Sequence, residues 1–352
     1  MTDHYQIEEE FHSKDNKSIK RERKRLQDKD RSKYKASDRI KPLSILPSEG
    51  RRGRVLSIAP SSIEVDINDV STFCKIRGTL KQEKTDQKNL VAVGDFVIID
   101  EENQITLIEE RRSFLSRKEN LSRRKEHLIA TNIDQVLITA SVEDPPLKPS
   151  LIDRYIIATI KGNMSPVVVI NKIDLNPNCP IVAELEKTYT DLGIPFIKVS
   201  AIDKTGFDAL EKIMEGKSSV FSGQSGVGKT SLINDLTGSS YRTADVVEKT
   251  RKGSHTTTKA HLIKIRKGSF CVDTPGIKSF SLWDISSSEL LSYFHDLQSF
   301  SDRCKFVNCT HRHEPDCAVR EAAAEGKVSK LRYNSYLTIW ENNDKDQKNP
   351  WD

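Results

Sequence analysis

The sequence has no run of about 18 apolar residues, the length a helix needs to cross a bilayer. Its first residues, Met1-Thr2-Asp3-His4-Tyr5-Gln6, have none of the apolar core of a secretion signal. A large excess of one sign of charge is lacking too: 56 Lys and Arg against 51 Asp and Glu leave a formal charge of +5 over 352 residues. The expectation is a soluble, cytoplasmic chain. Cysteine is sparse, and of the six present, Cys74, Cys179 and Cys271 are scattered in apolar surroundings, as reduced core thiols would be.

What charge there is lies unevenly. Residues 1–54 hold 16 basic against 10 acidic side chains, so the remaining chain is close to neutral. From Lys14 to Lys41 there are 13 basic and 5 acidic residues with almost no apolar periodicity. Residues 1–50 therefore read as a basic arm, disordered or partly helical, suited either to releasing counterions from a nucleic acid or to remaining a solvated tail.

With 36% hydrophobic content the chain is long enough for two or three domains. Over residues 51–112 the apolar period is two. Arg54–Ile58, Ile63–Ile67, Thr72–Ile76, Phe96–Ile99 and Ile105–Ile108 are short strand candidates, with a polar loop at residues 81–88. Five short strands in about sixty residues suit a small closed barrel: an oligonucleotide-binding (OB) fold, or an SH3-like barrel. Arg111, Arg112, Arg117, Lys118, Arg123, Arg124 and Lys125 follow, with Glu119 and Glu126 among them, and read either as a surface for a phosphate backbone or as a solvated linker.

Residues 113–282, after that incoming linker, alternate strand and helix. Gln135–Ala140, Pro166–Ile170, Phe196–Val199, Ser218–Phe221 and Phe270–Val272 are apolar strands. Helices are expected at Ser150–Ile160, with Ser150 as N-cap and Asp153 in the first turn, near Ile181–Leu192, and at Gly206–Met214. Such a pattern predicts a parallel sheet covered on both faces, with ligands at the carboxyl ends of its strands.

The chemistry concentrates at those ends. Gly223-Gln224-Ser225-Gly226-Val227-Gly228-Lys229-Thr230 has the spacing of a phosphate-binding loop between a strand and a helix that continues through Ser231. Its glycines let backbone N–H groups turn onto phosphate oxygens, and the following helix adds its unpaired N-terminal donors. Lys229 reaches the outer phosphates and the Thr230 hydroxyl ligates Mg²⁺.

Asn171-Lys172-Ile173-Asp174 ends the strand at Pro166–Ile170. The Asp174 carboxylate can accept two hydrogen bonds from guanine N1–H and its exocyclic amine. Adenine offers no such pair, and charge-assisted bonds of roughly 1.5–3 kcal/mol favour GTP over ATP by about one to two powers of ten. Lys172 can lie along the base and Asn171 can tie this loop to the phosphate loop. Ser200-Ala201, one strand later, offers a backbone N–H to the guanine oxygen.

After the phosphate loop, Gly253-Ser254-His255-Thr256-Thr257-Thr258 supplies a threonine for Mg²⁺ and the γ-phosphate, or is a polar surface loop. Asp273-Thr274-Pro275-Gly276 places Asp273 on Mg²⁺ and the Gly276 N–H on the γ-phosphate. Ile277 stands where many GTPases have a water-orienting glutamine, so unaided hydrolysis should be slow. His255 is the nearest polar candidate for that task, or an exposed loop histidine. The base-reading loops precede the phosphate loop, the reverse of the common order, as a circular permutation would produce.

Residues 283–352 hold the other three cysteines. Cys304, Cys309, His311 and Cys317 form a Cys₃His set fit for a closed, structural tetrahedral Zn²⁺, with His313 as a rival ligand. Helices are expected at Ser287–Leu297, Ala318–Glu325 and Ser329–Trp340, and residues 341–352 as a polar tail.

Taken together these residues resemble the bacterial ribosome small-subunit-dependent GTPase A family, circularly permuted assembly GTPases. The resemblance runs from about Arg52 to Trp340 and rests also on Asn132-Ile133-Asp134-Gln135-Val136 and Leu151-Ile152-Asp153-Arg154-Tyr155. It implies an OB barrel, a permuted GTPase domain that binds GTP or GDP with Mg²⁺, and a zinc domain. These would grip the maturing 30S subunit and its 16S rRNA, which stimulates hydrolysis and so releases the factor, here expected as a monomer. It further implies that His255 serves hydrolysis and that Thr257 answers to Mg²⁺ and the γ-phosphate. Ser254 departs from the family's usual arginine. Two other readings are an RNA-binding chaperone that GTP only holds in shape, and a stand-alone nucleotide switch.

Overall fold

The computed structural model describes residues 50–78, 80, 90–119, 122–238, 260–265, 268–273 and 287–348. The basic arm up to residue 49, the loop of residues 81–88, and Ser254 to Thr258 with Gly276 and Ile277 lie outside them.

Alternation of apolar and polar residues builds the first unit. In β2 (Ile63–Ile67), Ile63, Val65 and Ile67 are buried while Glu64 and Asp66 are not, as a strand with one wet face requires. With β1 (Arg51–Ile58), β3 (Val70–Ile76), β4 (Phe96–Ile99) and β5 (Gln104–Ile108) it closes in the order β1-β2-β3-β5-β4-β1. The pairing of β3 with β5 is parallel, Lys75 opposite Gln104, and the others are antiparallel. This is the partly Greek-key closure of an OB-fold, and it decides against an SH3-like barrel.

The basic segment after the barrel, read from sequence as a phosphate-facing surface or a solvated linker, is an antiparallel ribbon, β6 (Phe114–Glu119) with β7 (Ser122–Thr131). Its base is fastened by Arg111, whose side chain is 6% exposed and bonds both oxygens of the buried Asp95 at 2.7 and 2.8 Å. Thr131 Oγ1 donates to the same carboxylate at 2.6 Å. Arg111 thus locks barrel to ribbon rather than joining a phosphate-facing surface.

The central unit follows: β8 (Gln135–Ser141), α1 (Pro149–Lys161), β9 (Ser165–Asn171), α2 (Pro180–Asp191), β10 (Phe196–Lys198), α3 (Phe207–Met214), β11 (Ser218–Ser222), α4 (Lys229–Thr237), β12 (His261–Lys264) and β13 (Phe270–Asp273). Its strands lie in the order β10-β9-β8-β11-β13-β12, parallel except β12. The strands are apolar throughout because both faces are covered. Val136, Ile138, Val168 and Ile170 pack under α1 and α2, and Leu137, Val167, Val169 and Phe221 under α3 and α4.

Strand β12 also pairs with β1, Ser57 opposite His261, so the described strands other than β6 and β7 form one eleven-stranded sheet. The sequence pattern did not single out β12, a four-residue strand preceded by polar chain.

Helix α1 begins with Pro149 at its first position after Lys148, so Ser150 is not its cap. Asp153 is buried, not a solvated first-turn charge. The C-terminal unit holds α5 (Ser287–Leu290), a 3₁₀ turn at Leu291–Tyr293, α6 (His295–Ser301), α7 (Ala318–Ala324) and α8 (Lys330–Lys348). The expected single helix to Leu297 is thus broken at Phe294, which is fully buried against Tyr336, and the expected polar tail is helix as far as Lys348. Leu290, Phe294, Leu297, Val319 and Tyr336 pack with Ile157 of α1. Beside them Arg332 bonds Asp153 and, at 3.0 and 3.1 Å, Asp296, while Tyr189 OH donates to Asp153 at 3.0 Å.

Candidate functional site

The phosphate loop leaves the carboxyl end of β11, which lies between β8 and β13 in the parallel set, and enters α4. Two of its glycines are required by contact as well as conformation. A Cβ on Gly223 would lie 2.0 Å from the Thr139 carbonyl oxygen, and one on Gly228, at φ 91°, 2.4 Å from Asn171 Nδ2. Lys229 Nζ donates to the Gly223 and Gln224 carbonyls, each at 2.8 Å, so its ammonium is held over the loop. Burial pulls its pKa below the ordinary lysine value. Thr230 and Ser231 stand exposed in the first turn of α4, Ser225 and Gly226 are exposed in the loop, and Val227 is buried beneath it.

The base-reading candidates come from the next strands of the same sheet. Asn171, the last residue of β9 and 1% exposed, donates from Nδ2 to the Val227 carbonyl at 2.9 Å, which fastens the two loops together. Its Oδ1 is buried without a hydrogen-bond partner. Lys172 takes a left-handed conformation, φ 62°, and its Nζ donates to the Asp144 carbonyl at 2.5 Å.

Asp174 Oδ1 accepts from Ser200 Oγ at 2.6 Å, which orients the carboxylate and leaves its other oxygen to face outward bonds. The Ser200 N–H is taken by the Thr205 carbonyl at 3.1 Å. Of the dipeptide, Ala201 is therefore the residue whose N–H remains for a ligand.

Asp144, Thr139 and Thr205 belong to this arrangement without having been singled out in the sequence. Asp144 lies just past the carboxyl end of β8, where the strand-end rule could have directed attention. Asp273 is the last residue of β13, the strand beside β11, so its backbone ends level with the phosphate loop. His255, Thr257 and Gly276 lie outside the described residues. Adjacent loops with phosphate donors, a half-buried lysine and an oriented carboxylate can hold a guanine nucleotide and its Mg²⁺.

The second constellation is in the C-terminal unit. Ligand atoms of Cys304, Cys309, His311 and Cys317 all lie within 4.8 Å of one another. Cys304 Sγ and Cys317 Sγ are 3.9 Å apart, and each is 3.5 Å from His311 Nδ1. Thiolates about 2.3 Å from a tetrahedral ion stand about 3.8 Å from each other, so the set fits zinc. His311, not His313, completes it: His313 is exposed and only its backbone N–H is engaged, by Glu314 at 3.2 Å.

The turn carrying His311 is stiffened from both sides. Tyr333 OH donates to the His311 carbonyl at 2.8 Å. Burial would raise the Glu314 pKa, but hydrogen bonds from Thr310 and from the N–H of Arg312 outweigh it and hold the carboxylate well below its ordinary range. Cys74 and Cys271 are buried and Cys179 half-buried, and none of the three is in a disulfide.

Residues 108–283 match a family model described as RsgA GTPase. The chain is 37% identical over 298 residues to the small ribosomal subunit biogenesis GTPase RsgA 2 of Bacteroides thetaiotaomicron, covering 82% of this chain and 96% of that protein. It is 39% identical over 264 residues to the small ribosomal subunit biogenesis GTPase RsgA of Chlorobaculum parvum, covering 71% and 85%. Among solved structures, YjeQ from Thermotoga maritima superposes with a TM-score of 0.66 at 31% identity, over 84% of this chain and 99% of that one. YloQ, described as a circularly permuted GTPase, gives 0.63 at 25% identity over 84% and 96%.

Proposed function

The chain belongs to the RsgA GTPase family, and on that premise we propose that it binds the 30S ribosomal subunit through 16S rRNA late in the subunit's maturation, and that the subunit stimulates GTP hydrolysis to release it. The observation that carries the reading is the bond from Asn171 to Val227, which makes one receptor of a guanine-reading loop and a phosphate loop.

In this receptor the outward oxygen of Asp174 accepts from the guanine N1–H and amine, and the Ala201 N–H donates to the guanine oxygen. Lys229 and the N–H groups from Gly223 to Thr230 take the phosphates. Thr230, Asp273 and Thr257 would hold Mg²⁺, which neutralises charge developing on the phosphate oxygens. His255 orients the attacking water once rRNA orders its loop, the task Ile277 cannot perform. Cys304, Cys309, His311 and Cys317 would hold a Zn²⁺ that folds the C-terminal unit and takes no part in the chemistry.

The test is phosphate release from GTP, with ATP as control, with and without purified 30S subunits, for the wild type and His255→Ala. Stimulation confined to GTP and lost in the variant is expected. GTP binding with no stimulation would instead leave an RNA-binding assembly chaperone of negligible turnover.

A further inference from the structure

At the end of the central sheet opposite the phosphate loop, where β8, β9 and β11 begin, a polar cleft of about 350 Å³ opens. Five- to seven-residue strands separate the two by about 20 Å, so this is not an extension of the nucleotide site. Its wall is drawn from the chain leaving the barrel, with Arg112, from Asn132 and Asp134 before β8, from Ser165 of β9 and from Lys217 before β11.

The electrostatics of this wall are unbalanced. Arg112 and Lys217 are exposed, and neither pairs with a carboxylate among the described residues, although Lys217 Nζ donates to the Gln135 side-chain oxygen at 3.2 Å. Arg54 of the barrel stands behind them. Its Nη2 donates to the Asn132 carbonyl at 2.9 Å, its guanidinium lies 4.7 Å from the Phe270 ring centre and 5.1 Å from that of Phe96, and its Nε is buried without a partner. Arg112 reaches the same Phe96 ring at 6.0 Å and Arg52 lies over it at 4.4 Å, so three arginines share one aromatic. Burial pulls the Arg54 pKa down to about 10, with Asp134 opposing and Arg112 adding to the fall.

The acid and amide of the wall are already committed. Asp134 Oδ2 accepts the Ser218 N–H at 2.8 Å, and Asn132 spends its side chain on the Gly94 carbonyl at 3.1 Å and the Arg112 N–H at 3.0 Å. A polar cleft lined by two exposed cations, backed by a third and holding one engaged carboxylate, is short of an anion.

We propose that this cleft is a phosphate site, filled by a backbone phosphate of RNA that Arg112 and Lys217 contact and Arg54 supports from behind. The proposal rests on the ribosomal reading above, and it places a second anchor at the seam between barrel and central unit. Phosphate contacts of this kind position an RNA without reading its sequence.

The experiment is binding of the full chain, loaded with a non-hydrolysable GTP analogue, to 30S subunits between about 50 and 200 mM salt, where each contact contributes roughly 0.7–0.9 to the slope of log K on log salt. The Arg112→Ala/Lys217→Ala variant should bind at least tenfold more weakly at the low-salt end, with a slope shallower by about 1.4–1.8. Its GTP affinity and melting temperature should not move, and Lys187→Ala, on the exposed side of α2, should bind as the wild type.

A variant with wild-type affinity and slope overturns the site alone. A wild type that does not bind subunits overturns the ribosomal reading and the site with it. Titration of the loaded protein with pyrophosphate separates the sources: tight binding lost in the variant while its RNA slope is unchanged would assign the cleft to a small anion and overturn the RNA proposal.

Discussion

The proposed preference for guanine rests on one side chain, Asp174. Its carboxylate is aimed by Ser200, and only an acceptor pair meets the guanine edge. Asp174→Asn turns one acceptor into a donor, so GTP affinity should fall by about ten- to a hundredfold while XTP, which offers a carbonyl there, binds better. Competition between the two nucleotides against a fluorescent analogue measures it, and unchanged preference would remove Asp174 from base recognition. Gly228 acts through space instead. Gly228→Ala drives a methyl into Asn171 Nδ2 at a φ of 91°, so it should abolish measurable GTP binding while the protein, by circular dichroism, stays folded.

Among the elements, α1 joins the central unit to the C-terminal one. The loop before it carries Asp144, whose carbonyl accepts from Lys172, and its Asp153 makes a buried bond with Arg332 of α8. Breaking a buried pair leaves an uncompensated charge, so Arg332→Met should cost about 3–5 kcal/mol in urea unfolding, and Asp153→Leu with Arg332→Met should recover much of it. Equal loss in both would mean that packing, not charge, is at stake. The Cys₃His turn makes a sharper division. Purified protein should carry one zinc per chain, His311→Ala should lose it and His313→Ala keep it, with the melting temperature falling only in the former. Metal analysis of the two variants decides it.

Across the whole molecule, the pairing of β12 with β1 makes barrel and central unit one sheet. The pairing also covers an edge that would otherwise offer free backbone donors and acceptors to other chains. A chain beginning at residue 113 bares that edge and loses Arg54 from beside Phe270. It should self-associate in size-exclusion chromatography where the full chain does not, and melt at lower temperature. A soluble, equally stable truncation would show that the barrel is a separate module.

How much was legible follows from the range of the forces involved. Spacing in the phosphate loop, apolar runs in β8 and β9, alternation in β2 and the Cys₃His set are local, because glycine conformation, pleat period and ligand reach act over a few residues. The sequence by itself therefore determined the α/β unit, its permuted order and the barrel's strands, and it proposed the candidate site residues. Long-range contact decided the rest. The parallel match of β3 with β5, separated by the chain between Ile76 and Gln104, chose the OB closure over the SH3-like one. Strand β12 exists through its neighbours β1 and β13, the basic segment became a ribbon through its own pairing, and residues 341–348 are helical as the continuation of α8. Asp153 and Arg111 look like surface charges in one dimension. Only the tertiary structure buries them, because a partner from 179 or 16 residues away is there to neutralise each.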